Sequence, residues 1–231
     1  MQLFYAICSD VHFMELADDE TRHLVQVLRK RVGDTVFCTD GNGTLFETHL
    51  FEISKKKATL KIVAQQNNLE IRTPLHIAIA PTKNMDRFEW FLEKATEIGI
   101  AEITPLICRR SERTVLKRDR LNHILVTAMK QSLRYYLPKL NEPIDFKSFM
   151  NLNQPDNVAK WIAYCTETTR LPLQQVAQNR QPNLILIGPE GDFMPEEVTF
   201  AFSKGFQGVS LGNHRLRTET AGIVACQIMN L

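Results

Sequence analysis

Cysteine is scarce in this sequence and is not arranged for chemistry. Five cysteines (Cys8, Cys38, Cys108, Cys165, Cys226) are scattered through 231 residues. Their number is odd and no pair has C-x-x-C spacing, so neither a disulfide framework nor a thiolate zinc site is signalled. The six histidines make no H-E-x-x-H pair, and no metal site is expected. No apolar run approaches the roughly 18–20 residues that cross a bilayer. The opening MQLFYAICSDVHF lacks the basic and apolar regions of a secretory leader. These absences predict a cytoplasmic protein with no membrane partner. Ten glycines and ten prolines exclude a collagenous or low-complexity chain. G-x-G-x-x-G and the P-loop are missing too, which removes the usual dinucleotide and triphosphate cradles.

What is present is an ordinary soluble composition, 44% hydrophobic and 23% charged, with a formal net charge of only +2. The charge is unevenly placed. Residues 1–70 carry eight basic and ten acidic side chains, residues 71–150 carry fourteen and nine, and residues 151–231 carry six and seven. Most of the excess lies in 108–134, where Arg109, Arg110, Arg113, Lys117, Arg118, Arg120, Lys130 and Arg134 face only Glu112 and Asp119. Charge alone leaves two readings open, a solvated helix face or a patch that displaces counterions from nucleic acid.

The hydrophobic rhythm changes near residue 70. Before it, LFYAI, HFMEL, DTVFCTD, TLFETHLFEI and KKKATLKIVAQ read as strands, with one helix in DDETRHLVQVLRK and a hairpin turn at Asp40–Gly43. That pattern predicts a small β-barrel over residues 1–70, with the polar run 65–68 as a linker. After it, the strands PLHIAIAP, AEITPLIC, VAKWIAYCT, PNLILIG and GVSLG alternate with the helices NMDRFEWFLEKATEIG, LNHILVTAMKQSL, PEEVTFAFSKG and TETAGIVACQIMN. Alternation predicts a parallel α/β domain over residues 71–231.

Ligands of parallel α/β sheets sit beyond the carboxyl ends of strands. Two such ends are distinctive, Ile187-Gly188-Pro189-Glu190-Gly191-Asp192-Phe193 and Leu211-Gly212-Asn213-His214-Arg215-Leu216-Arg217-Thr218-Glu219-Thr220. In the first, Glu190 and Asp192 would repel a phosphate and Pro189 removes a backbone donor. A cationic ligand fits better, approached closely by glycine backbone. Equally, the acids of both segments suit the start of a following helix without any ligand.

These two segments, in this order, resemble the signature of the bacterial small-subunit (16S) ribosomal RNA uridine-N3 methyltransferases of the SPOUT superfamily. The resemblance extends over nearly the whole chain, through His23-x-x-x-Val27-Leu28-Arg29-x-x-x-Gly33, Lys83, FLEKATEIG, ITPLICRRSER and AMKQSLRYYLP. Two positions depart from the family pattern, which commonly has glycine at Asp192 and an acidic residue at Lys130. The fold it implies is an N-terminal PUA-like RNA-binding β-barrel followed by a SPOUT α/β domain with a trefoil knot. The activity it implies is transfer of a methyl group from S-adenosyl-L-methionine, without a metal, to N3 of a uridine in 16S ribosomal RNA. A homodimer is implied as well, with apolar faces such as that of the final helix buried in it.

By the same resemblance, Thr166, Ile187, Gly188, Pro189, Glu190, Gly191, Leu211, Gly212, Leu216 and Thr218 are assigned to the donor pocket. Uracil N3 must lose a proton while negative charge builds on the flanking oxygens, so Arg217 is assigned to stabilise that charge. Glu219 is assigned as proton acceptor or as the group that orients Arg217. His214 is a base by chemistry only. RNA contacts are assigned to Arg29 and Arg31 in the barrel and to Lys83, Arg87, Arg109, Arg110, Arg113 and Arg134, which would position RNA rather than read its sequence. Two other functions stay open, a SPOUT methyltransferase acting on a different RNA and a non-catalytic RNA-binding protein on the same scaffold.

Overall fold

A computed structural model describes residues 1–67, 74–165, 171–177 and 181–231. The chain forms two compact units, one from Met1–Ile71 with Val126–Leu137, the other from Arg72–Leu125 with Pro138–Leu231.

The first unit is a closed barrel. Strands β1 (Leu3–Cys8), β2 (Phe13–Leu16), β3 (Thr35–Thr39), β4 (Thr44–Ile53) and β5 (Ala58–Asn67) close in the order β1-β2-β5-β4-β3, with β3 returning parallel to β1. Every second residue points inward, so Phe4, Ala6, Met14, Leu16, Val36, Cys38, Phe46, Leu50 and Leu60 share one core. The turn Asp40–Gly43 forms as expected, with Gly41 and Gly43 at positive φ. The helix expected after β2 is α1 (Asp18–Arg22), continued by a π-helical turn (His23–Val27) that buries Leu24. Gln65–Asn67, read from the sequence as linker, instead extend β5 against Thr44–Phe46 of β4. Asn68 and the expected boundary near residue 70 lie outside the described residues.

The second unit is a parallel sheet covered on both faces. Its strands are β6 (Leu75–Ile79), β7 (Glu102–Ile107), β8 (Lys139–Leu140), β9 (Ile144–Asp145), β10 (Ala159–Ala163), β11 (Leu171–Pro172), β12 (Asn183–Ile187) and β13 (Gln207–Ser210). They run in the order β11-β13-β10-β12-β6-β7-β8, with β9 beside β7. Helices α2 (Met85–Ile98), α3 (Arg118–Gln131), α4 (Phe146–Met150), α5 (Leu173–Val176), α6 (Pro195–Ser203) and α7 (Thr218–Met229) connect them. Doubly covered strands are near-continuous apolar runs, as β12 is after Asn183, with all five of its residues buried. Ala78, Leu184, Leu186, Phe146, Phe149, Phe193 and Ala201 form the core on one face. On the other, α7 packs against α2, β6 and β12.

That second packing fixes the site described below. Asn84 caps α2 by accepting from the Asp86 amide at 3.0 Å, and Gly99 ends the helix at φ 117°. Gly222 lets α7 approach so closely that a Cβ there would lie 2.6 Å from the Phe91 ring and 2.9 Å from Ile79. Gly222, Ala225, Cys226 and Met229 are thus buried within the chain, so the apolar face of the final helix expected in a dimer is largely core. At the opposite sheet edge His76 Nε2 meets Thr104 Oγ1 at 2.7 Å, and Asn141 links Thr104 to Glu102. Burial pushes the His76 imidazole down to about 4, against the pull of Glu102. Among the described residues, no helix is long and apolar enough to cross a membrane.

Two outcomes follow. Gly222→Ala should lose about 1–2 kcal/mol in urea unfolding, because overpacking outweighs the roughly 1 kcal/mol gained in helix propensity. An unchanged or raised midpoint would contradict the close approach. His76 stays neutral in the folded chain down to about pH 4 but charges near 6.5 when unfolded. Its contribution is therefore complete above pH 6.5 and lost as pH falls toward 4. Relative to His76→Gln, the native chain should lose about 2–3 kcal/mol of stability over that interval. Parallel pH profiles for the two proteins would show that His76 is not held neutral.

Candidate active site

Strands β6 and β12 are neighbours, yet the chain leaves them in opposite directions. After β6 it crosses to β7; after β12 it crosses past β10 to β13. Such a topological switch opens a crevice at the carboxyl ends of the two strands. Both distinctive loops of the sequence reach this edge.

The first loop is a tight turn, with the Asp192 amide donating to the Pro189 carbonyl at 2.9 Å. Gly188 is buried against the Phe193 ring, where a Cβ would sit 3.0 Å from the nearest ring carbon. At Gly191 a Cβ would lie 3.2 Å from Cδ of Arg110, whose Nη1 donates to the Gly191 carbonyl at 2.5 Å. Asp192 adopts φ 61°, a left-handed conformation natural to glycine. Its carboxylate compensates by accepting from its neighbour's amide, Phe193 (2.8 Å), and from the Cys165 amide beyond β10 (2.7 Å). This accounts for an aspartate where the family pattern has glycine. Lys130, the other departure, pairs with the buried Glu20 inside the barrel unit.

The second loop delivers α7. Gly212 takes φ 144°, Leu216 and Arg217 are exposed, and Leu211 is half-buried. Arg217 is the N-cap of α7, in extended backbone. Thr218, 4% exposed, donates its hydroxyl to the Gly188 carbonyl at 3.0 Å and so ties the helix start to the end of β12. Glu219 is only 5% exposed. Its Oε1 stands 3.8 Å from Nε of Arg87, while Oε2 is buried with no hydrogen-bond partner among the described residues. A buried carboxylate oxygen left without a protein donor is costly in a folded chain and singles this oxygen out as a candidate acceptor for a ligand or a bound water. Burial, with the charges of Glu197 and Asp192, pushes the Cys108 thiol far up, so it supplies no nucleophile here.

Several predicted RNA contacts have work inside the site. Lys83 donates its amide to Glu190 Oε1 (2.9 Å) and pairs its ammonium with Glu112 (2.8 Å). Arg113 reaches the Lys83 carbonyl at 3.3 Å, and Glu197 receives the Arg109 amide at 2.9 Å and the Met194 amide at 2.8 Å. Together these bonds join the loops after β6, β7 and β12. The Arg109 side chain itself is exposed. Arg87, read as lining an entrance, keeps a partly exposed side chain and faces Glu219, a pairing across two helices that no sequence spacing signals. Arg29, Arg31 and Arg134 belong to the barrel unit, where Arg29 takes φ 54°. Thr166 lies outside the described residues. Ile187 and Pro189 are buried, and Glu190 is exposed.

Two open clefts, of about 300 and 480 Å³, lie at the amino ends of β10 and β13, around Asp156, Lys160 and Gln207. Among the described residues their ionisable lining side chains are Asp156, Lys160 and Lys204. Among the described residues no cluster of three or more His, Cys, Asp or Glu is placed to hold a metal.

Comparison with known proteins identifies the family. Residues 69–230 match the RNA methyltransferase domain family, and residues 16–63 match the RNA methyltransferase PUA domain family. The ribosomal RNA small subunit methyltransferase E of Synechocystis sp. is 32% identical, over 93% of this chain and 72% of that protein. A probable rRNA-methyltransferase of Porphyromonas gingivalis superposes with a TM-score of 0.89 at 40% identity, covering 98% of this chain and 96% of its own. The ribosomal RNA small subunit methyltransferase E of Neisseria gonorrhoeae, solved bound to S-adenosyl methionine, superposes at 0.83 with 28% identity, covering 99% and 96%. The chain is a member of the RNA methyltransferase family that includes the ribosomal RNA small subunit methyltransferases E.

Proposed function

We propose that this methyltransferase uses S-adenosyl-L-methionine to methylate N3 of a uridine in 16S ribosomal RNA. The observation that carries the reading is the buried Glu219 carboxylate with its unpartnered oxygen, at the second residue of α7 and near Arg217 at its N-cap. The residues at the crevice fit the donor. Gly188, Gly191 and Gly212 offer close backbone to a flat adenine, with Ile187, Pro189, Leu211 and Leu216 as apolar walls and Thr218 holding the floor. Glu190 and Glu219 suit a cationic sulfur. When bound, S-adenosyl-L-methionine supplies an electrophilic methyl group. Thr166 is retained in the proposed pocket from the family resemblance.

The chain's own residues then do three things. Glu219 Oε2 is an acceptor for the N3 proton, and its burial keeps water from competing for it. Arg217, exposed at the N-cap, supplies positive charge to the uracil oxygens as N3 becomes anionic. Arg87 holds the other Glu219 oxygen, fixing the carboxylate's orientation. The exposed Arg109, with Arg29 and Arg31 of the barrel, grips RNA phosphates. A splayed-out uridine supplies specificity. The homodimer, the trefoil knot, the division near residue 70 and a cytoplasmic location complete the proposal from the family resemblance.

The test uses the full chain and small-subunit rRNA from a strain lacking this protein. Mass spectrometry should show N3-methyluridine appearing with the native chain and donor. Arg217→Ala should lower the rate on the order of 10²–10³-fold. Glu219→Gln should lower it by about 10²-fold or more. In Arg217→Ala donor affinity by calorimetry should change by less than about threefold, since the loss falls on the chemical step. A different modified base, or methylation of another RNA only, would overturn the substrate. No donor binding by the native chain would leave an RNA-binding protein without catalysis.

A further inference from the structure

Aromatic rings seldom stand in the open on a barrel, yet Phe51 does, beside a half-buried Phe13. Their centroids are 5.2 Å apart with planes tilted by 58°, and Phe51 is 53% exposed. Phe51 is exposed for a local reason. Leu50 pairs with Leu60 and Glu52 with Thr59, so Phe51 is the extra residue of a β-bulge, turned out of the ladder. Phe13, half-buried on β2, stands directly opposite Lys61 of β5, and Lys61 stands opposite His49 of β4. Residues directly opposite one another share a face, so ring, ammonium and imidazole form one row across the outside of the barrel.

The surroundings of this row are basic. Residues 49–61 contain four lysines and one glutamate. Lys57 is neutralised by Glu15 at 2.7 Å, whereas Lys55, Lys56 and Lys61 have no carboxylate partner among the described residues. The surface is also continuous with the turn that carries Arg31. Gly33 donates to the Leu50 carbonyl (2.8 Å) and Leu50 donates to the Asp34 carbonyl (2.9 Å), which holds that turn against the residue preceding Phe51. An exposed ring pair among unneutralised cations is the chemistry of a base-stacking platform, in which rings take the base and lysines take the flanking phosphates.

We propose that this face is a second RNA site, which stacks an unpaired base on the Phe13–Phe51 pair and holds adjoining phosphates with Lys55, Lys56 and Lys61. It rests on the reading of RNA as substrate but not on the assignment of the catalytic residues. A hydrophobic protein partner or a second copy of the chain would cover the rings without using the lysines.

The probe is a fluorescent oligouridylate of about 12 nucleotides, with an abasic ribose-phosphate strand of equal length. Binding to the full chain is followed by anisotropy with no methyl donor present, so catalytic failure elsewhere leaves the result readable. Phe51→Ala and Phe51→Leu should each weaken oligouridylate binding about tenfold, while Phe51→Tyr stays within about twofold of the native chain. None of the three should alter binding of the abasic strand. Lys55→Ala with Lys56→Ala should weaken both probes and flatten the logarithmic salt dependence by about 1.4. Circular dichroism melting checks that each variant is folded, and Phe51→Tyr controls for the ring. Native affinity in a folded Phe51→Ala protein would overturn the site, as would an equal loss on both probes. So would a change in oligomeric state on light scattering, which would assign the rings to a contact between copies.

Discussion

The Thr218 hydroxyl donates to the Gly188 carbonyl across 3.0 Å, joining the first residue of α7 to the backbone just beyond β12. Much of the site's geometry follows from that bond. It presents the α7 N-terminus at the crevice edge, where Arg217 is still exposed and Glu219 is already buried. The body of α7 is held from behind by its contact with Phe91 and Ile79, which only glycine at position 222 permits. A helix pinned at its first turn and packed along its length cannot drift relative to the loop it caps. Precise placement of that kind is what makes a general base or a charge-stabilising arginine effective.

Charge in this protein serves structure first and ligand second. The arginine- and lysine-rich middle of the chain suggested a broad cationic surface. In the structure, Arg118 pairs with Glu142, Arg120 with Glu89, Lys83 with Glu112 and Lys130 with Glu20. Arg110 and Arg113 reach backbone carbonyls of neighbouring loops. Exposed ion pairs such as Arg118–Glu142 add little stability, whereas the Lys83–Glu112 pair and the Arg110 and Arg113 bonds tie together the loops that form the site. The net positive charge of the segment is real; the number of cations without a protein partner is smaller than the count implies. The unpaired lysines of the β4–β5 hairpin, in a region whose net charge is negative, show the converse.

Sequence periodicity revealed the elements long enough to repeat. The barrel strands, the α/β alternation, the Asp40–Gly43 turn and Pro195 at the start of α6 were all legible, because each rests on local spacing or local backbone preference. The two-residue strands β8, β9 and β11 and the short helices α4 and α5 were not, since four or five residues complete no hydrophobic period. Spacing also could not show that β12 lies between β6 and β10, although that insertion creates the crevice. For the site, the glycine-containing loops were legible as strand ends. Asp192 in a left-handed conformation and the Arg87–Glu219 pair were not, because each depends on a partner far away in the chain. Gln65–Asn67 were misread as linker because their polarity outweighed a pairing that only the β4 partner reveals.

The central claim is that the donor occupies the carboxyl-edge crevice between β6 and β12 rather than the open clefts at the amino edge. Hydrogen–deuterium exchange on the full chain, with and without S-adenosylhomocysteine, tests this directly. The account predicts slowed exchange in peptides spanning Ile187–Gly191 and Leu211–Thr220, with the peptide containing Thr166 the one other segment to respond. Protection around Asp156 and Lys160 instead, or no protection anywhere, would contradict it.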